Sequence, residues 1–171
     1  MRKGSGRPVK ICKHEDPLIC TFCKGIVDTI TVKEYFEVKE AVQKVLHMEQ
    51  IPADAAPQCM ELMTGLFYPY DLTYIATCSM AMTDCLLQNR LCQALEFADI
   101  LHGIVKKFAK SSPAHVELVQ RIMKIQAELG NKSDLDITAQ SGLVDFYNDT
   151  ELCTQILRTR DILYSEYFPE E

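Results

Sequence analysis

The sequence contains no tryptophan, and its 7 glycines and 7 prolines are scattered along 171 residues. Glycines so placed build no phosphate loop and no dinucleotide fingerprint, and no Gly-x-Ser-x-Gly nucleophile elbow occurs. Long apolar runs are missing too. The most apolar stretch, Tyr74 to Met82, is interrupted by Thr77 and Ser79 and falls far short of the roughly 20 residues a membrane span needs. The basic start is followed by Gly, Ser, Pro and charge instead of an apolar stretch, so no secretory signal is expected. A cytoplasmic or nuclear location follows, in which the 8 cysteines are expected as reduced thiols or metal ligands.

Basic charge is scarce outside one end of the chain. Eighteen Lys and Arg oppose 24 Asp and Glu, a net charge of −6, and five of the bases (Arg2, Lys3, Arg7, Lys10 and Lys13) precede the first acid. The remainder carries 13 bases against 24 acids, or −11. Such a body repels a phosphate backbone, because non-specific nucleic-acid affinity comes from Lys and Arg neutralising phosphates. Nucleic acid is therefore excluded as a partner for all but the short basic tail. Acids also dominate between Lys44 and Lys106 (Glu49, Asp54, Glu61, Asp71, Asp84, Glu96 and Asp99), where Arg90 is the sole base. That balance favours basic peptides, although solvated helix faces give the same count.

What is present is the composition of a globular chain, 47% hydrophobic and 25% charged. At this length folding buries roughly 70% of the unfolded surface, enough for a core without disulfides. Residues 1–10 are Gly, Ser and basic and read as a flexible lead-in. Residues 11–30 hold three cysteines and a histidine, with a short strand expected at Gly25 to Thr29. From residue 31 to 171, long windows show apolar residues at helical spacing.

Val32 to Met48 places Val38, Val42, Val45 and Leu46 on one stripe, behind a capping box of Thr31 and Glu34. Pro52 to Pro57 breaks the chain before a short helix or turn at Gln58 to Gly65, and Pro69 and Asp71 restart it. Leu72 to Gln88 and Leu91 to Lys110 are parted by the turn-like Asn89 and predict an antiparallel hairpin. Ser112-Pro113 is a helix start, with proline where its missing N–H costs nothing. The stripe Val116, Val119, Ile122, Met123, Ile125 and Leu129 stops at Gly130-Asn131. Further segments run from Asp136 to Tyr147 and from Asp149 or Thr150 to Phe168. The expected fold is all-α: five or six helices in stacked antiparallel pairs, preceded by a small cysteine-containing segment.

The sharpest local chemistry is Cys20-Thr-Phe-Cys23-Lys-Gly25, since two thiolates two residues apart can face one tetrahedral ion while the glycine permits the knuckle turn. Cys12 and His14 lie just upstream, so Cys12, His14, Cys20 and Cys23 are a candidate zinc set; a segment preceding Met1 supplying the other pair is the alternative. Ordinary thiols or a redox pair also fit a lone CxxC, but a redox motif prefers a helix directly after it, and residues 24–30 are β-branched. Cys78, Cys85 and Cys92 sit seven apart and read as core contacts, as do Cys59 and Cys153. His47, His102 and His115 stand alone, without a second ligand at metal spacing, and His14-Glu15 lacks the second histidine of a zinc-protease helix. Tyr68, Tyr70, Tyr74, Tyr147, Tyr164 and Tyr167 would line a peptide groove or pack at the solvent boundary.

The order of features from Leu72 to Leu129 resembles the C-terminal helical region of SET and MYND domain (SMYD) proteins. The resemblance lies in Leu86-Leu87-x-Asn89, then Leu91-x-x-Ala94-Leu95-x-x-Ala98, then Pro113-x-His115 leading into Ile122-Met123-Lys124-Ile125-x-Ala127-x-Leu129. It implies a TPR-like helical domain preceded by a zinc-binding cysteine cluster, with Cys20 and Cys23 in the place of its CxxC. The family's cluster is Cys-x-Cys-x-x-Cys, and its first cysteine would fall at Leu18, so the ligand set departs from the pattern. No Asn-His-Ser-Cys run, methyl-donor motif or MYND finger is present. The expectation is the post-SET and C-terminal part of a relative of the protein lysine methyltransferases, non-catalytic by itself. It would bind a protein or basic peptide, chaperones included. A free-standing all-α interaction protein unrelated to methyltransferases, or a CxxC thiol redox protein, are the alternatives.

Overall fold

A computed structural model describes residues 29–49 and 51–169. The regular elements among them are all helical: α1 (Thr29–Leu46), α2 (Ala55–Met63), α3 (Leu72–Leu87), α4 (Leu91–Phe108), α5 (Pro113–Glu128), α6 (Lys132–Asp145) and α7 (Thr150–Tyr167). The all-α expectation is met, with one more helix than the upper count. Cys12, His14, Cys20 and Cys23 lie outside the described residues, as do residues 1–10 and nearly all of 11–30. So does the strand expected at Gly25 to Thr29, apart from Thr29, which is the first residue of α1. The chain divides within α3 into two compact units, one ending at Thr77 and the other spanning Cys78–Glu171.

In the first unit α1 packs on α2. The stripe read from the sequence is the one that is used: Val42 joins Cys59, Met63 and Phe67 in a buried cluster, flanked by Val38, Val45 and Leu46. Helix α1 begins two residues before Thr31, so that threonine is an internal residue and not a cap. Pro57 lies inside α2. It occupies the first turn, where backbone N–H groups have no intrahelical acceptor and proline forfeits nothing. Asp71 stands at the start of α3, its Oδ1 accepting from Thr73 N–H at 2.8 Å and its carbonyl from Ile75 N–H at 3.0 Å. Tyr35 O–H and Lys39 Nζ reach Oδ2 of the same carboxylate at 2.6 and 3.3 Å, tying α1 to the entrance of α3.

In the second unit α5 packs on α4, α6 and α7, and α6 packs on α7. Nine of the 16 residues of α5 are buried, so its apolar surface wraps most of the helix instead of forming one stripe. A helix of that kind needs neighbours on several sides. Val116, Val119, Met123 and Ala127 meet Leu135 and Ala139 of α6, Phe146, and Leu152, Ile156 and Leu163 of α7 in one core. Gly142 lets α6 come close, since a Cβ there would stand 3.3 Å from Val119 Cγ1 and 3.7 Å from the Ile156 side chain. Sequence-distant pairs give the helix directions: Val119 against Gly142 and His115 near Asp145 for α5 and α6, and Leu143 with Cys153 and Asp136 with Tyr164 for α6 and α7. Both pairings run antiparallel, as expected.

The turns follow from residue type. Asn89 adopts φ 56°, while Arg90 N–H closes on Cys85 O and Asn89 N–H on Leu86 O. Gly130 repeats this at φ 72°, with Asn131 N–H bonded to Gln126 O and Gly130 N–H to Ala127 O. Both are helix ends that satisfy orphan carbonyls through one left-handed residue, a place for glycine or asparagine. Asn131 then caps α6 by accepting from Asp134 N–H, so two residues end one helix and begin the next. Helix α6 therefore starts four residues before Asp136. Ser112 Oγ accepts from His115 N–H and Asp149 Oδ1 from Glu151 and Leu152 N–H, the two starts read from the sequence.

Candidate functional site

The packing of α4, α5 and α6 brings together three residues that stand alone in the sequence. His102 of α4, His115 of α5 and Asp145 of α6 offer donor atoms that all lie within 4.8 Å of one another. Each is placed by its own helix: His102 follows the buried Leu101, His115 is in the first turn behind the Ser112 cap, and Asp145 ends α6 beside the buried Phe146. His115 is 0% exposed. Its ring lies 5.1 Å from that of His102 and meets Phe146 edge-on at 4.9 Å.

Hydrogen bonding fixes one proton of the His115 ring. Nδ1 lies 2.6 Å from the Lys110 carbonyl, and a carbonyl oxygen accepts without donating, so Nδ1 carries a proton. Nε2 of the same ring is buried and has no protein partner; neither has the buried Nε2 of His102. Burial pushes the His102 pKa below its ordinary value, and the neighbouring His115 and Lys106 push the same way against the opposing pull of Asp145.

Asp145 is held by cations. Lys106 Nζ is 2.8 Å from Oδ2 and Lys110 Nζ 3.2 Å from Oδ1. Burial works to raise the pKa of the carboxyl, but the two ammonium groups outweigh it and keep Asp145 below the usual carboxylate range. Lys106 also reaches Ser141 Oγ at 3.3 Å. The centre thus contains two imidazoles, one carboxylate and two ammonium groups, drawn from α4, α5, α6 and the turn after α4.

No protein-family model matches the chain, and no curated protein matches it. No helix among the described residues is long and apolar enough to cross a membrane.

The remaining sequence candidates fall out individually. Cys59, Cys78 and Cys85 are buried, as packing residues should be, and Cys153 is half-buried; Cys92 is exposed, contrary to its expected core role. Cys78 donates to Phe97 O at 3.4 Å, and burial pushes its thiol up to about 12. The tyrosines do not share a unit: Tyr68, Tyr70 and Tyr74 precede Thr77, while Tyr147, Tyr164 and Tyr167 belong to the second unit. Tyr68 and Tyr70 pack edge-on at 4.8 Å, and Tyr164 donates to Asp136. No spacing rule could have found the histidine and aspartate centre, because its members are separated by 13 and 30 residues. The one signal was two isolated histidines inside helical windows.

A second surface feature belongs to α6. One face of this helix buries Leu135, Ala139 and Gly142, yet Ile137 and Val144 on the other side are 61% and 67% exposed, and the exposed Tyr147 follows. The described residues from 130 to 169 carry three Lys and Arg against seven Asp and Glu, a net charge of −4.

Proposed function

We propose that this chain is a non-catalytic helical module that binds a basic segment of a protein partner. The observation that carries this reading is the second apolar face of α6, where Ile137 and Val144 stand seven residues apart in solvent. Apolar side chains at that spacing form a strip along a helix, and the acidic surround supplies long-range attraction for Lys and Arg. The affinity would come from the apolar strip and the choice of partner from charge.

The proposal includes the family. The Leu72 to Leu129 pattern is similar to the C-terminal helical region of SMYD proteins, so this chain would be the part of a lysine methyltransferase relative that follows the catalytic SET core and flanks its substrate cleft. Zinc at Cys20 and Cys23, completed by Cys12 and His14, and a cytoplasmic or nuclear location belong to the same proposal. An in-frame SET core in the coding sequence upstream of Met1 would support the family; an upstream frame closed by stop codons would remove it.

The binding reading is tested by titrating a fluorescent Lys/Arg-rich peptide with the full chain at low and physiological salt. Saturable binding is expected, weakened at least tenfold by the double substitution Ile137→Asp/Val144→Asp and reduced by salt. No binding at low salt, or equal binding by the double variant, would overturn it.

A further inference from the structure

We propose that His102, His115 and Asp145 form a site for a transition-metal dication of the zinc type, and that Lys106, one of the two lysines on the carboxylate, is the cation the metal displaces. The proposal is independent of the partner-binding reading and of the cysteine segment.

Four observations support it. First, the donor set suits the ion: two imidazole nitrogens and a carboxylate oxygen are ligands for zinc and its neighbours, whereas magnesium and calcium prefer oxygen alone. Second, the outer contacts are those of a ligating histidine. Nδ1–H of His115 is bonded to the Lys110 carbonyl, an arrangement that fixes the tautomer and makes Nε2 the ligand atom. Third, that Nε2 belongs to a fully buried side chain and is unsatisfied, as is the Nε2 of His102. Buried polar atoms without a partner are rare enough to require an explanation, and a Lewis acid between the two nitrogens supplies one. Fourth, the separations are close to those needed. Donor atoms now within 4.8 Å must contract to about 3.4 Å around an ion with bonds of about 2.1 Å. His102 is the half-buried member and supplies the movement.

The lysines set the terms of binding. Asp145 is 3% exposed and cannot turn to solvent, while Lys106 is 43% exposed and can. A dication entering the centre therefore displaces the Lys106 ammonium into water, exchanging one positive charge at the carboxylate for two. Lys110 keeps its other role, presenting the carbonyl that orients His115.

The experiment is a ZnCl2 titration of the full chain carrying Cys12→Ser, Cys20→Ser and Cys23→Ser, followed by the ring nitrogen resonances of its histidines. Addition of one equivalent is expected to move Nε2 of His102 and His115 to metal-bound positions and to leave His14 and His47 unchanged. Lys106→Met is expected to tighten binding at least tenfold by removing the competing cation, and Asp145→Asn to weaken it at least tenfold. Because Asp145→Asn disturbs a buried ion pair, His102→Gln serves as a second weakening variant at a less buried position. Histidine resonances that stay in place at tenfold excess zinc would mean that the centre holds water alone and would overturn the proposal. So would an affinity unchanged by Lys106→Met.

Discussion

Lys106 Nζ sits 2.8 Å from Asp145 Oδ2, and the two ends of this contact occupy different media: the lysine side chain is 43% exposed and the aspartate 3%. Removing one end is therefore not equivalent to removing the other. Lys106→Met/Lys110→Met leaves an unpaired carboxylate buried and is expected to cost about 3–5 kcal/mol. Asp145→Asn releases two lysines that water can solvate and is expected to cost about 1–2 kcal/mol. Urea unfolding of the two variants beside the parent chain measures both numbers, and equal losses would contradict the asymmetry.

Two glycines inside helices make a paired comparison. A Cβ at Gly103 of α4 meets nothing within 4 Å, so Gly103→Ala is expected to stabilise by about 0.5–1 kcal/mol through backbone entropy alone. At Gly142 the same gain is opposed by the 3.3 Å approach to Val119, a side chain fixed in the core. Gly142→Ala is expected to destabilise by about 1 kcal/mol, and Gly142→Leu by about 3 kcal/mol, the scale of an overpacked interior. Thermal unfolding of the three variants decides the signs.

The pH response of the first unit follows from Asp71. Burial tends to raise its pKa, but the Tyr35 hydroxyl, the Thr73 N–H and Lys39 together hold it below the usual carboxylate range. A carboxyl depressed in the folded state binds fewer protons there than in the unfolded chain, so the stability it contributes is complete above about pH 4 and disappears as pH falls through the folded value. Asp71→Asn keeps a capping side chain at α3 and loses the charge. It should cost about 1 kcal/mol at pH 7 after allowing for partial exposure, and nothing at the acid end of the window. A difference from the parent that is constant between pH 7 and pH 3 would rule out this linkage.

Thiol reactivity separates the described cysteines. Cys92 is exposed, whereas Cys78 is buried with its thiol pushed up to about 12 and Cys59 is buried with its pKa raised by the same desolvation. Reaction depends on thiolate and access. Brief treatment with a maleimide at pH 7.5 is expected to modify Cys92 completely and Cys59, Cys78 and Cys85 only after unfolding, as peptide mass mapping would show.

Much of this architecture is legible along the chain because its determinants are local. Ser112-Pro113 and Asp149 open helices where they were expected to, and Asn89 and Gly130 close them, since each acts through hydrogen bonds to residues two to five positions away. The start of α6 is misplaced by apolar periodicity for a physical reason: its first apolar residue is Leu135, while the capping residue Asn131 does double service at the end of α5. Thr31 offers capping-box spacing yet lies within α1, which begins at Thr29. The histidine and aspartate centre is not legible at all. It exists because α5 is flanked by both α4 and α6, and that neighbourhood is a property of the packed unit instead of any window of sequence.

Helix α5, with α4, α6 and α7 all resting on it, also sets the order in which the second unit can come apart. Detaching α4 uncovers one side of α5 and detaching α7 another, but α5 cannot leave without breaking every interface of the unit except that of α6 with α7. Partial openings thus expose the amides of the outer helices first. The backbone of α5 becomes the slowest clock in the unit, its deuterium uptake keeping time with complete unfolding while its neighbours run ahead.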